Sequence, residues 1–358
     1  MTAAQPVVRG LPANKLCYVQ YTDDTIEQKS KLDPGLGILG TVLRAVVGEF
    51  IEVTFFNRTT QPLSMHPRGV RYDKDSEGAY YLPKPGLGAA VGTNATFTYV
   101  WQLNEKSGPS SSEPSSKAWL YHSHMSGDGE ANLGLIGFII VTDPQRARFD
   151  GTPADVDREL ATLFMIFDES GLVGLNKEAL ERGKGPGGQH IRSKAQMDEL
   201  IERGARYAIN GRVFCNLSGL EMNEGEHVRW YLFPLGSEQD FHTPHWHGVD
   251  VVEEGRRGTD VVELLPATMK VADMEADNSG TWLFHCHVAE HMQHGMAARF
   301  VIYPRNGSGR APIEAFLAWH KRVNRCKGNS KMPRRLWDSV AQNPTGHSTV
   351  RLTDRNLA

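Results

Sequence analysis

Residues 285–296 read HCHVAEHMQHGM: a cysteine between two histidines, a third histidine four residues on, and a methionine five residues after that. On an extended chain successive side chains alternate faces, so His285 and His287 present imidazoles to one side and Cys286 its sulfur to the other. A thiolate, two imidazoles and a weak axial thioether suit copper cycling between two oxidation states. One tripeptide on a strand can thus bond a mononuclear copper on one face and a copper cluster on the other. The covalent path between them is a short electron route.

Three further motifs share this chemistry. His66 stands in MHPRG, His122 and His124 flank Ser123 in WLYHSHMSG, and His242, His245 and His247 form HTPHWH. The motifs repeat in order: SMHPRGV is echoed by HTPHWHGV, and WLYHSHM by WLFHCHVAEH. Each copy ends in an apolar, β-branched run, IGFIIVTDP or MAARFVIYP. Matching positions of this kind argue for two related β units. Ser123 stands where Cys286 stands, so the first unit has no thiolate and only the second can hold a mononuclear blue copper.

Residues 16–21, 51–56, 96–101 and 135–141 are short β-branched and aromatic runs separated by Gly/Pro/Asn-rich turns, the pattern of an all-β sandwich or barrel. The expected organisation is two cupredoxin-like Greek-key domains, at 1–145 and 159–306, joined by a charged linker at 146–158. A partly helical insertion, with helices near 177–182 and 195–204, falls at about 170–206. A basic extension follows from 307 to 358.

The 358 residues suffice for two domains, and a formal charge of −3 gives no reason to expect nucleic acid or an acidic membrane as partner. The charge is uneven. From residue 310 onward ten Lys/Arg face three Asp/Glu, about +7, which leaves about −10 for the rest. Such a tail reads as a solvated or subunit-draping extension. Of four cysteines, Cys286 belongs to the copper motif, and Cys17, Cys215 and Cys326 make no disulfide framework. The opening MTAAQPVVRGLPANK lacks a charged segment followed by an apolar run, and no stretch approaches the length of a membrane span. A cytoplasmic location is therefore expected, and the sequons at Asn57, Asn94, Asn216 and Asn306 carry no weight.

Together with AINGRVFCNLSGLEMNEGEHVRWYLFPLG, RRGTDVVELLPAT and SMHPRGVRYDKDSEGAYY, these motifs resemble the multicopper oxidases, within them the ceruloplasmin–hephaestin branch and the small two-domain laccases. The likeness covers about residues 12–305. It implies up to four coppers per chain: a type 1 site at His242, Cys286, His291 and Met296, and a type 2 copper at His66 and His245. One type 3 copper would take His124, His247 and His285, and the other His122 with His287. Type 1 copper in such enzymes accepts single electrons from a reductant, and the cluster reduces dioxygen to water.

One position departs from the pattern. The family motif has histidine at both ends of HxHG, and here the second is Arg68. A guanidinium stays protonated and offers no lone pair. Either a two-histidine copper is completed by water or by His190, or the cluster is incomplete and oxygen reduction is impaired. Glu290, beside His291, is a candidate for docking a cationic or hydrogen-bonding reductant. Asp73 and Glu77 are candidate proton donors, Asp260 reads as structural, and His227, His294, His320 and His347 read as ordinary histidines.

The resemblance also implies that the cluster forms between domain one of one subunit and domain two of another. A head-to-tail contact that closes makes a ring, here a homotrimer. The expected function is a laccase-type oxidase of a small phenol or aromatic amine, with Cys286, His291 and Glu290 on the electron path and O2 as acceptor. The alternatives are an Fe(II)/Cu(I) oxidase, suggested by the ceruloplasmin likeness, and a non-catalytic copper protein, suggested by Arg68.

Overall fold

A computed structural model describes residues 2–8, 11–22, 27–126, 129–170, 183, 190–236, 239–305 and 348–353. The chain forms two β units that pack face to face, and the structure is the all-β cupredoxin fold. The first unit opposes a sheet ordered Leu43–Val46, Ile136–Thr142, Ser116–His122, His66–Pro67 to one ordered Tyr18–Gln20, Ser348–Thr353, Phe50–Asn57, Thr96–Gln102. The second opposes a four-stranded sheet (Glu221–Asn223, Ala297–Tyr303, Gly280–Cys286, Pro244–Trp246) to a six-stranded one. That sheet runs Ala205–Ile209, Arg158–Asp168, His227–Pro234, Lys270–Glu275, Val251–Glu253, Arg257–Thr259.

Strands buried on both faces read as nearly continuous apolar runs, because each face needs its own set of side chains. LATLFMIF is such a run. Its Leu160 and Phe164 enter the second unit's core, whereas Leu163, Met165 and Phe167 enter a layer shared with Leu120, Phe138 and Ile140 of the first. Val228, Trp230 and Leu232 likewise face inward while Tyr231 and Phe233 face the shared layer. Buried polar contacts fix the register of the two units. Tyr231 Oη lies 2.6 Å from Ser116 Oγ, Arg229 donates to Ser115 and Ser116 and pairs with Asp273, and Asn210 Nδ2 donates to the Gly35 carbonyl at 2.6 Å.

The strands expected at 51–56, 96–101 and 135–141 appear as Phe50–Asn57, Thr96–Gln102 and Ile136–Thr142. The run at 16–21 is split between Leu11–Leu16 and Tyr18–Gln20. The insertion's second helix is Lys194–Gly204, capped by Ser193, whose hydroxyl accepts from the Gln196 N–H. The helix expected at 177–182 lies outside the described residues, as do Asn306, His320, Cys326 and His347. The extension holds one strand the sequence reading did not anticipate. Ser348–Thr353 pairs antiparallel with Phe50–Asn57 and parallel with Tyr18–Gln20. Among the described residues no helix is long and apolar enough to cross a membrane.

Candidate copper centres

Strand register brings the histidine motifs together in the same way in both units. His66 pairs with His122 across adjacent antiparallel strands, and His245 pairs with His285. The turn after His291 folds the end of the motif back, with Met296 N–H bonding the His291 carbonyl at 2.9 Å and Cys286 N–H the Met296 carbonyl at 3.1 Å.

Inside the second unit's core three donors converge. His242 Nδ1 and His291 Nδ1 lie 3.1 Å apart, and Cys286 Sγ is 3.8 Å from the first and 3.6 Å from the second. All three residues are buried, as is Met296. Burial pushes the His291 pKa down to about 4, which keeps the imidazole neutral with its lone pair available. It also pushes the Cys286 thiol up, opposed by the Thr243 N–H that donates to the sulfur at 3.4 Å. Two buried imidazoles, a sulfur held by a backbone donor and a buried thioether make a donor set that fits copper.

Sequence reasoning missed Asp240. Its buried carboxylate faces His242 Nε2 at 3.3 Å and accepts the Ile166 N–H at 2.7 Å, so it turns Nδ1 toward the sulfur. A carboxylate behind a ligating histidine fixes ring orientation and raises basicity. The signal was present: Asp240 precedes His242 by two residues, the spacing that shares a strand face.

On the other side of Cys286 lies an imidazole group. His247 Nε2 and His285 Nε2 are 3.1 Å apart, and His245, His247 and His285 offer convergent nitrogens. His287 joins through ring contacts of 5.3 Å to His245 and 5.6 Å to His285. The first unit holds a matching trio, with His66, His122 and His124 ring centroids 5.1 to 5.6 Å apart. In both groups backbone carbonyls take Nδ1 and leave Nε2 for a metal. His285 Nδ1 faces the Cys286 carbonyl (2.8 Å), His122 the Ser123 carbonyl (2.9 Å), His245 the Asp260 carbonyl (2.9 Å) and His66 the Glu77 carbonyl (2.6 Å). Burial lowers the pKa of His66, His247 and His285, and brings His122 to about 3. His124 Nδ1 is buried with no hydrogen-bond partner, as a nitrogen reserved for a metal would be. Among the described residues, ring contacts run within each group and none joins the two.

Arg68 sits at the backbone position that answers His247. Its N–H bonds the Leu120 carbonyl at 2.8 Å, as His247 N–H bonds that of Leu283 at 3.0 Å. The guanidinium turns away to lie 5.8 Å from the Phe233 ring centre, and its charge helps hold His66 and His122 neutral. The ligand set implied by the resemblance does not fit here. His190, offered as a substitute, is exposed and belongs to no convergent donor group among the described residues.

Other expectations shift. Asp260, read as structural, also has a carboxylate oxygen 3.6 Å from His245 Nδ1. Glu77 acts on His66 through its carbonyl, while its carboxylate is engaged by Lys74 and Tyr81; Asp73 accepts the Ser76 N–H. His294, read as ordinary, stacks on Tyr207 at 5.1 Å. Asn57, a sequon residue, is buried and bonded to the Gln61 and Val91 carbonyls. Glu290 is exposed in the short helix Ala289–Gln293.

Two family models, both described as multicopper oxidase, match residues 35–146 and 184–306. The chain belongs to the multicopper oxidases. Its cofactor is copper. Among curated relatives it is 36% identical to human Ferroxidase HEPHL1 over 80% of this chain and 25% of that one. It is 33% identical to mouse Hephaestin (82% and 25%) and 34% to human Ceruloplasmin (82% and 26%). The chain thus spans about a quarter of the length of these relatives. Among solved structures, the multicopper oxidase mgLAC superposes with a TM-score of 0.56 at 18% identity, over 87% of this chain and 86% of that one. The blue copper oxidase from Nitrosomonas europaea gives 0.54 at 18% (85% and 83%). These two likenesses concern the fold.

Proposed function

We propose that this multicopper oxidase takes single electrons from a small phenolic or aromatic amine reductant at the His242–Cys286–His291–Met296 centre and passes them to a cluster that reduces O2. The observation that carries this reading is the placement of Cys286. Its sulfur faces two imidazole nitrogens at 3.6 and 3.8 Å, while His285, bonded to it in sequence, faces His247 on the opposite side. Copper bound at these residues would supply one-electron acceptance at the sulfur and dioxygen reduction at the imidazoles. The protein's part is to hold lone pairs in place. Asp240 orients His242, the Thr243 N–H steadies the thiolate, and four backbone carbonyls aim the cluster imidazoles through Nε2.

His66, His122 and His124 would meet His245, His247, His285 and His287 of a second copy, head to tail in a homotrimer. The two separate histidine groups of one chain support this, since each is half of the set implied by the family. The cleft beside His245 and His247 is lined by Asp250, Asp260, Glu275 and Asp277, carboxylates that suit docking of a basic face.

A second reading, oxidation of Fe(II), is favoured by the names of the ferroxidase relatives and by Glu290 beside His291. Copper analysis, the visible absorption of the thiolate–copper bond, and oxygen uptake with 2,6-dimethoxyphenol and with Fe(II) in one preparation test both. One copper per chain and no uptake with either donor would sink the oxidase. Uptake with Fe(II) alone would select the second reading, and a monomer by analytical ultracentrifugation with a full cluster would remove the trimer.

A further inference from the structure

The helix Lys194–Gly204 runs directly into the edge strand Ala205–Ile209, and that strand delivers Tyr207 to the surface over His291. The Tyr207 ring is partly buried, packed against the second unit's core. Its centroid lies 5.2 Å from that of His291 at 46° and 5.1 Å from that of His294 at 30°. Phe241 also approaches the His291 ring, at 6.1 Å, and is 49% exposed; Met292, next along the chain from His291, is 39% exposed. His294 is steadied by the Glu290 carbonyl, 2.8 Å from its Nδ1. Two aromatic rings, Tyr207 partly buried and Phe241 about half exposed, therefore lie beside an imidazole of the Cys286 centre, and aromatic rings pair in offset or edge-to-face arrangements at centroid distances of this kind.

We propose that Tyr207, flanked by Phe241, is the specificity-determining ring on which a planar aromatic donor stacks while it reduces the centre through His291. This gives the insertion a role, since the helix Lys194–Gly204 sets where Tyr207 stands. The inference rests on reading the Cys286 centre as the electron acceptor. Copper held by His242, Cys286, His291 and Met296 would accept the one electron that a phenolic donor gives up; the donor's proton passes to water and the donor leaves as a phenoxyl radical.

Tyr207→Leu and Tyr207→Phe in the full chain test this. Loss of one stacking contact corresponds to about threefold to tenfold in affinity. Tyr207→Leu is expected to raise the KM for 2,6-dimethoxyphenol by that factor with kcat within about twofold, while the KM for hexacyanoferrate(II), which has no ring, stays put. Tyr207→Phe should restore the phenol KM. Calorimetric titration of copper-free protein with 3,5-dimethoxybenzyl alcohol, a ring the centre does not need to oxidise, should show the same loss in the leucine variant. Unchanged affinity for this alcohol would overturn the proposal, and so would an equal rise in KM for all donors, which would mark a merely structural role. If no donor drives oxygen uptake in the wild type, the oxidase reading fails by itself, and the copper-free titration still decides whether Tyr207 is the platform.

Discussion

The pocket around Ser123 and the pocket around Cys286 share one backbone. Ser123 N–H bonds the Leu135 carbonyl at 3.1 Å, and Cys286 N–H the Met296 carbonyl at 3.1 Å. Leu135 N–H then bonds the Glu130 carbonyl, as Met296 N–H bonds that of His291. Ser64 N–H donates to Ser123 Oγ at 3.2 Å, where Thr243 N–H donates to Cys286 Sγ at 3.4 Å. Leu63 exchanges backbone hydrogen bonds with Val91, as His242 does with Leu264. By register, then, Leu63, Ser123, Glu130 and Leu135 stand where His242, Cys286, His291 and Met296 stand. The first pocket is filled by leucines and closed by a buried carboxylate. It shows that the scaffold needs no metal to hold its shape, so the donors of the second pocket are free to serve chemistry. On the other face of the same strands both units keep their imidazoles, except where Arg68 answers His247.

The largest way to break this difference is Cys286→Ser, which gives the second pocket the first one's hydroxyl. A serine remains protonated and makes no short thiolate bond to copper. The variant should lose the intense visible band and drop turnover by about a thousandfold or more, ~4 kcal/mol of barrier. Copper held at the imidazole face should remain, as read by metal analysis. A variant that stayed blue would mean that another sulfur completes the site.

Arg68→His comes next and sharpens the comparison on the cluster face. The backbone at 68 already sits in the ligand register, so the new imidazole needs no rearrangement to follow His247. Copper content should rise by up to about one per chain and turnover by several-fold, because a cation is removed from beside His66 and His122 and a lone pair is added. Losing the guanidinium from Phe233 should cost about 0.5–1 kcal/mol, visible in thermal unfolding of the copper-free protein. Unchanged copper content would show that the cluster is complete without this ligand.

Much of this contrast was legible in the sequence, because it depends on local spacing. HSH against HCH, and HPR against HWH, are strand patterns in which alternate residues share a face whatever the surrounding fold does. The substitution of Ser123 for Cys286 and the loss at Arg68 could therefore be read before any coordinates. Partnerships set by long-range approach could not. Tyr207 lies 84 residues before His291 and reaches it through sheet order, and Asp260 reaches His245 through a loop. Glu130 looks like an ordinary surface acid until the backbone ladder aligns it with His291. The strand Ser348–Thr353 belongs to the same class, since its pairing with Phe50–Asn57 depends on return of the chain across nearly 300 residues.

Glu130→Ala probes the closed pocket at a smaller scale. The Glu130 carboxylate accepts the Met125 N–H at 3.1 Å, the Ser126 N–H at 3.2 Å and the Ser126 hydroxyl at 2.7 Å. Removing it strips three hydrogen bonds from a turn in which Met125 is half-buried and Ser126 exposed to water, which should cost about 0.5–1.5 kcal/mol in a denaturant titration. The visible band of the other unit should not change. The equivalent change in the second unit, His291→Ala, should do the reverse, sparing stability relative to its effect on the band. A band lost in the Glu130 variant would mean that the two pockets are coupled through the shared apolar layer.

The smallest effect is expected from Ser123→Cys, which gives the first pocket its missing sulfur and nothing else. The Ser64 N–H would still find an acceptor, and a thiol is close enough in size that stability should move by about 1 kcal/mol or less. No second blue absorption should appear. Leu63 and Leu135 supply no ligand, and Glu130, whose carboxylate is committed to the turn at Ser126, presents no imidazole. A thiol there, with no imidazole beside it, is a buried small hydrophobe whose ionisation is opposed by desolvation. If copper titration of this variant did raise a second band, one sulfur would have been enough to make the two pockets alike, and Leu63, Glu130 and Leu135 would not stand in the register of His242, His291 and Met296.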